Sequence, residues 1–194
     1  MVVVEVTGLE CSMSSLVTLR RSTAADAELI HGWRTEPSTS VFQPTLPLLL
    51  ADVRAMIADR SKTPISPVAI GKIQWTVETP YGPAGWITLS FSQEDRRHAK
   101  GTIGYAIGER FRGHGYGVAA LGALLPIAFA RELLALERLE AVAAVGNQAS
   151  RRVLERNGFF LEGVLRGLLI INGARVDHAI YGLLRSDWEG NDGR

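Results

Sequence analysis

The chain has 194 residues, 46% of them hydrophobic and 21% charged, with a formal net charge of +1 at neutral pH. These values exclude a disordered or collagen-like chain and argue against bulk nucleic-acid binding. One cysteine, Cys11, excludes a disulfide framework and a multi-cysteine zinc site, and points to a reducing, cytoplasmic compartment.

MVVVEVTGLE lacks a basic region and carries two glutamates, so it does not read as a secretory leader. No apolar run nears the roughly 20 residues of a membrane span. Residues 1–15 read as a tail, 16–189 as one domain and 190–194 as a second tail. LVTLRR, Leu16 to Arg21, alternates as a strand does. Ser22 or Thr23 caps a helix with Asp26 in its first turn and Leu29, Ile30 and Trp33 on one face. Pro37, Pro44 and Pro47 leave 36–48 irregular, and a second helix follows from Leu49 to Arg60.

GKIQWTVET and GWITLSFS form a hairpin across PYGP, Pro80 to Pro83, and GTIGYAI, Gly101 to Ile107, is the next strand. GVAALGALLPIAFARELL predicts a long helix from near Gly115 with a bend at Pro126. RLEAVAAV is a strand, and Ala149 to Asn157 a short amphipathic helix that Gly158 ends. FFLEGVLRGLLI and ARVDHAIYGLL are strands joined at Ile171-Asn172-Gly173, since Asn-Gly is a strong hairpin signal. The sum is an α/β (α+β) chain: a mixed, mostly hairpin-connected sheet with helices on both faces.

The chemistry concentrates in ERFRGHGYGVAAL, Glu109 to Leu121. Gly113, Gly115 and Gly117 alternate where a strand passes into a helix, so the backbone can take positive φ and approach a ligand closely. The first N–H groups of the helix then face outward at its positive dipole end and can wrap a diphosphate, with Arg112 adding charge. A dinucleotide G-x-G-x-x-G fails, because the third glycine position is Val118, and Gly71-Lys72 lacks the Ser or Thr of a nucleotide P-loop. Arg112-Gly113-His114-Gly115-Tyr116-Gly117 does fit Arg/Gln-x-x-Gly-x-Gly/Ala, and Asn147-Gln148-Ala149-Ser150 opens a block running through VLERNGF to LEGVLR.

Together these segments resemble the GNAT superfamily of N-acetyltransferases, and its RimJ/RimL branch of ribosomal-protein N-terminal acetyltransferases. The likeness covers about residues 99–189, including the closing LLIINGARVDHAIYGLLRSDW, and is general before that. It implies a central, mostly antiparallel sheet splayed at a CoA site. It also implies that acetyl-CoA is the co-substrate, with no metal, and a primary amine the acceptor. That acceptor is a protein N-terminus or, alternatively, a small amine such as an amino sugar, polyamine or antibiotic. A homodimer is left open, and no membrane or direct nucleic-acid partner is expected.

Residue by residue, the resemblance implies that backbone groups of Tyr105, Ala106 and Ile107 face the pantetheine and thioester. Gly113, His114, Gly115, Tyr116, Gly117 and Val118 hold the diphosphate after Arg112. Asn147 and Ser150 meet the CoA arm, and Ser150 is the proton donor to the leaving thiolate or else only a helix-terminal hydroxyl. Many relatives have a glutamate where Thr102 stands, and some a carboxylate near Leu168 and Leu169. The base is therefore open among Glu78, Glu94, Asp95, Asp177 and a held water. Asp177 is favoured by its place in the family-like Asp-His pair, with pairing to Arg175 or Arg166 as its structural role. His31, His98, His114 and His178 show no metal-ligand spacing. Trp33 or Phe42 can line an acceptor site. A domain that binds acyl-CoA without turning it over is the rival reading, favoured by the missing glutamate.

Overall fold

The computed structural model describes residues 16–44 and 48–190, so the expectations for Cys11, Pro47 and both tails lie wholly or largely outside the described residues. Chain order gives β1 (Thr18–Arg21), α1 (Ala27–Thr35), α2 (Pro37–Ser40), α3 (Leu50–Arg60), β2 (Gly71–Thr79), β3 (Gly82–Phe91), α4 (Gln93–Arg97) and β4 (Lys100–Ile107). There follow α5 (Tyr116–Phe129), β5 (Arg138–Ala144), α6 (Gln148–Arg156), β6 (Phe160–Ile171), β7 (Ala174–Leu184) and α7 (Arg185–Glu189). The seven strands form one sheet in the order β1-β2-β3-β4-β5-β7-β6. All neighbours are antiparallel except β4 and β5.

Alternation in β2 and β3 supplies both faces of that sheet. Ile73, Trp75, Val77, Ile87 and Leu89 point to one side and bury against Leu121, Leu124, Leu125, Ala128 and Phe129 of α5. Lys72, Gln74, Thr76, Trp86, Thr88 and Ser90 point to the other. There α1 and α3 pack through Ala27, Ile30, Trp33, Val53 and Ile57, with Trp86 against them.

Several sequence expectations shift. The first helix begins as a short 3-10 turn, Ala24–Asp26, capped by Thr23, and Leu29 faces solvent while Ile30 and Trp33 are buried. Pro37, with its fixed φ, starts the one-turn α2 inside the stretch expected to be irregular. The long helix stops at Phe129, one turn after Pro126, and the chain tucks back so that Leu134 and Leu136 fill the core beneath it. The Asn-Gly turn forms as expected, with Asn172 at φ 50° and Gly173 at φ 79°. Yet β7 lies between β5 and β6, which leaves β6 on the sheet edge.

Candidate active site

β4 and β5 pair at only three positions, Lys100–Arg138, Gly101–Leu139 and Thr102–Glu140, and then part. β5 stays paired with β7 throughout, while β4 stays with β3. The opening between them leads into a cleft of about 490 Å³. Tyr105, Ala106 and Ile107 form its β4 wall, the loop from Arg112 to Val118 and α6 its second side, and Ser38 to Gln43 its third.

Gly113 and Gly115 both sit at φ 81°, the left-handed region that glycine enters without strain. Gly115 caps α5, and the peptide N–H groups from Gly113 through Val118 donate to no other group among the described residues. They make a concave row of donors at the positive end of a 14-residue helix. Gly117 is small for packing: a Cβ there would lie 3.2 Å from Val153 of α6.

Arg112 is placed otherwise than expected. Its Nε donates to Ile107 O at 2.8 Å, Nη1 to Ser38 Oγ at 2.5 Å and Nη2 to the Glu36 carboxylate at 3.2 Å. Glu36 also accepts from the Glu109 N–H at 3.0 Å. Arg112 therefore splints the loop to the α1–α2 junction, its charge balanced by Glu36. The unpaired cations on the cleft are Arg152 and Arg156 of α6, neither with an ion-pair partner among the described residues. Their spacing of four residues on one helix face was legible in RRVLER. His114 contributes its peptide N–H, but its ring stacks on Tyr116 at 5.8 Å and is not among the lining side chains.

Asn147 caps α6 by accepting the Ser150 N–H at 3.1 Å, which frees the Ser150 hydroxyl from capping. Ser150 Oγ instead lies 2.8 Å from the Tyr105 hydroxyl, which also donates to Ser150 O at 3.1 Å. Burial pushes the Tyr105 phenol up to about 12 against the opposing hydrogen bond from Ser150, so it stays protonated. The Tyr105 side chain was missed in the sequence, where only its backbone drew attention. Arg151 Nε and Glu155 Oε1 hold the Tyr181 hydroxyl of β7 at 3.0 and 2.8 Å, which anchors α6.

No carboxylate lines the cleft among the described residues. Asp177 Oδ1 accepts the Gly167 N–H at 2.7 Å, and Arg175 Nη1 donates to Gly167 O at 3.0 Å. The two side chains clamp one residue, Gly167, from both its N–H and its C=O in the irregularity of β6 between Leu165 and Leu169, rather than pairing with each other. Glu78 pairs with Arg20 at 2.8 Å, and Glu94 with His98 at 3.1 Å and Arg97 at 3.6 Å. Asp95 accepts the Ser92 N–H at 2.8 Å, which with nearby Lys100 holds its carboxyl below the usual range. Phe42 lines the cleft, whereas Trp33 is buried beside Gly108. Among the described residues no group of three or more His, Cys, Asp or Glu could hold a metal, and no helix is long and apolar enough to cross a membrane.

Residues 17–160 match the family model described as acetyltransferase (GNAT) domain. The Bacillus subtilis protein YdaF, provisionally named a ribosomal N-acetyltransferase, is 43% identical over 102 residues, 53% of this chain and 55% of that protein. The Escherichia coli [ribosomal protein uS5]-alanine N-acetyltransferase is 33% identical over 86 residues, 44% of this chain and 43% of the relative. The chain thus spans about half the length of these curated relatives. The crystal structure of Vibrio cholerae spermidine N-acetyltransferase with CoA and spermine superposes with a TM-score of 0.76, covering 91% of this chain and 99% of that one. At 19% identity that likeness speaks to fold alone.

Proposed function

The chain belongs to the GNAT acetyltransferase family, and on that footing we propose that it transfers an acetyl group from acetyl-CoA to a primary amine. The observation that carries this reading is the row of N–H groups from Gly113 to Val118, unpartnered among the described residues and opening on the cleft where β4 and β5 part. The residues present fit acetyl-CoA. The N–H row and the two free arginines suit its phosphates, and the cleft volume is that of a small-molecule site.

Acetyl-CoA, when bound, supplies an acyl group activated as a thioester. The protein's part is to bind, orient and move protons. Ser150 Oγ, hydrogen-bonded to a neutral Tyr105, holds a proton at the floor of the cleft, and we propose Ser150 as the donor to the departing sulfur. A free thiol has a pKa near 8.5, so a hydroxyl hydrogen bond is enough help. No carboxylate faces the cleft among the described residues, so the amine sheds its proton to water or arrives already neutral. Asp177 is proposed as a clamp of β6 rather than a base.

The relatives' names divide between ribosomal proteins and a polyamine. We place a small amine-bearing molecule first, because the site is a bounded cleft, and a protein N-terminus, the RimJ/RimL assignment, second. A cytoplasmic site of action remains part of the proposal.

Calorimetric titration with CoA, followed by thiol release from acetyl-CoA over a panel of amines, tests the reading. Gly115→Glu sets a carboxylate against phosphate and is expected to abolish measurable CoA binding. Arg152→Ala and Arg156→Ala, which leave the backbone untouched, should weaken binding most at low salt. Unchanged CoA affinity in all three variants would mean that the loop is not the site.

A further inference from the structure

The two edges of the sheet are built differently. β1, at one edge, is four residues long, and its Arg20 is tied to Asp26 at 2.7 Å and Glu78 at 2.8 Å. Short length and charge keep such an edge from pairing with another chain. β6, at the other edge, runs twelve residues as FLEGVLRGLLII, with neither proline nor lysine. Of its two charges, Glu162 is taken by Arg138 of β5 at 2.8 Å, and Arg166 has no ion-pair partner among the described residues.

Six of the sixteen large apolar residues exposed among the described residues fall on this one strand. They are Phe160, Leu161, Val164, Leu165, Leu168 and Ile170, between 38% and 63% exposed. They occupy both faces. Leu161 and Val164 pair with Tyr181 and Ala179 of β7, whose side chains enter the core on the α6 side. Phe160 and Leu165 pair with Gly182 and His178 and so stand on the reverse face. β6 thus has the pattern of a strand buried on both faces, at an edge where neither is covered.

Taking roughly 150–200 Å² for a large apolar residue, these six leave on the order of 500 Å² of apolar surface in one stripe. Monomers rarely leave a stripe of that extent uncovered without a use for it. Homodimer interfaces are about 65% apolar, so the stripe scales to about 800 Å² per subunit, the size of a stable dimer contact.

We propose that β6 is the interface of a homodimer, in which the β6 rims of two copies meet antiparallel about a two-fold axis and cover each other's apolar stripe on both faces. A two-fold contact sets the stripe against its own image, so no second species is needed to match it. A sheet rim also carries side chains above and below its plane and covers both faces at once, whereas a flat lipid surface covers one. The irregularities between Leu161 and Gly163 and between Leu165 and Leu169 break the outward row of backbone N–H and C=O groups. Side-chain packing therefore holds the contact rather than a continuous ladder. Once the rims have met, the sheet edges left are the two β1 strands, short and charged, so assembly stops at two.

Sedimentation velocity across the micromolar range should give twice the mass of the chain, and Tm should rise with protein concentration. Phe160→Asp and Val164→Asp, one on each face, put a charge into the contact and should weaken association by about a hundredfold or more. Val68→Asp and Tyr81→Asp, at apolar residues more exposed than either but away from β6, should leave the dimer intact. Far-UV circular dichroism checks that each variant is folded. A monomer at every concentration would overturn the proposal. So would a dimer that both β6 variants leave untouched, or an assembly larger than two that they abolish. The readout is mass rather than turnover, so none of these outcomes bears on the acetyltransferase reading.

Discussion

Ser150 and Tyr105 are the pair on which the proposed chemistry turns, and their two hydroxyls should respond differently to substitution. Ser150→Ala removes the proposed proton donor, so kcat and kcat/KM should fall together while KM for acetyl-CoA stays nearly fixed. Tyr105→Phe leaves the serine in place but unoriented, and a smaller loss is expected. A rise in KM alone for Ser150→Ala would make that residue a binding group. Because burial raises the Tyr105 phenol to about 12, the tyrosine stays neutral through neutral pH. The sign follows from the raised pKa: the protonated form is favoured in the fold, so its contribution is full below the ordinary tyrosine range. A pH–rate profile should therefore rise along the titration of the acceptor amine, shifting with acceptors of different pKa. An ascending limb fixed for every acceptor would point instead to a base on the protein. Ser150 was legible in N-x-x-S as a residue type at a helix start. Its partner was not, because the pairing joins positions 45 apart in sequence.

Among the elements, the glycine loop could be read directly, since alternating glycines at a strand–helix junction have few other physical explanations. Arg112 shows where such reading stops: a charge beside a phosphate loop looks like a ligand until Glu36, 76 positions away, is seen to hold it. The β6–β7 hairpin makes the same point about Asp177. Its turn was fixed by Asn172-Gly173, but the irregularity that occupies the carboxylate arises from three-dimensional pairing. Asp177→Ala should release the Gly167 peptide and cost about 1 kcal/mol, since the bond is solvent-exposed. For a chain of this size that is a fall in Tm of about 2–4 °C. Activity per folded molecule should be unchanged; a loss of kcat well beyond the loss of folded protein would return Asp177 to the catalytic residues.

At the level of the whole molecule, local signals located each of the seven strands described, yet the order of strands lay beyond them. Hairpin turns fix neighbours, as in β2–β3 and β6–β7, but nothing local places β7 between β5 and β6. The three-rung join of β4 to β5 has a consequence for how the protein holds together. It divides the sheet into two leaves, β1–β4 and β5–β7–β6, sewn by the fewest paired positions of any neighbouring strands. Such a seam is where a sheet opens first, and a molecule lodged across it acts as stitching. CoA would touch β4 on one leaf and α6, anchored to β7, on the other. Hydrogen exchange should therefore slow in both leaves together when CoA is added, including β7 amides remote from the glycine loop. Protection confined to the loop and α5 would mean that the leaves move independently of what lies between them. Stitched in this way, the two leaves would open together rather than one at a time.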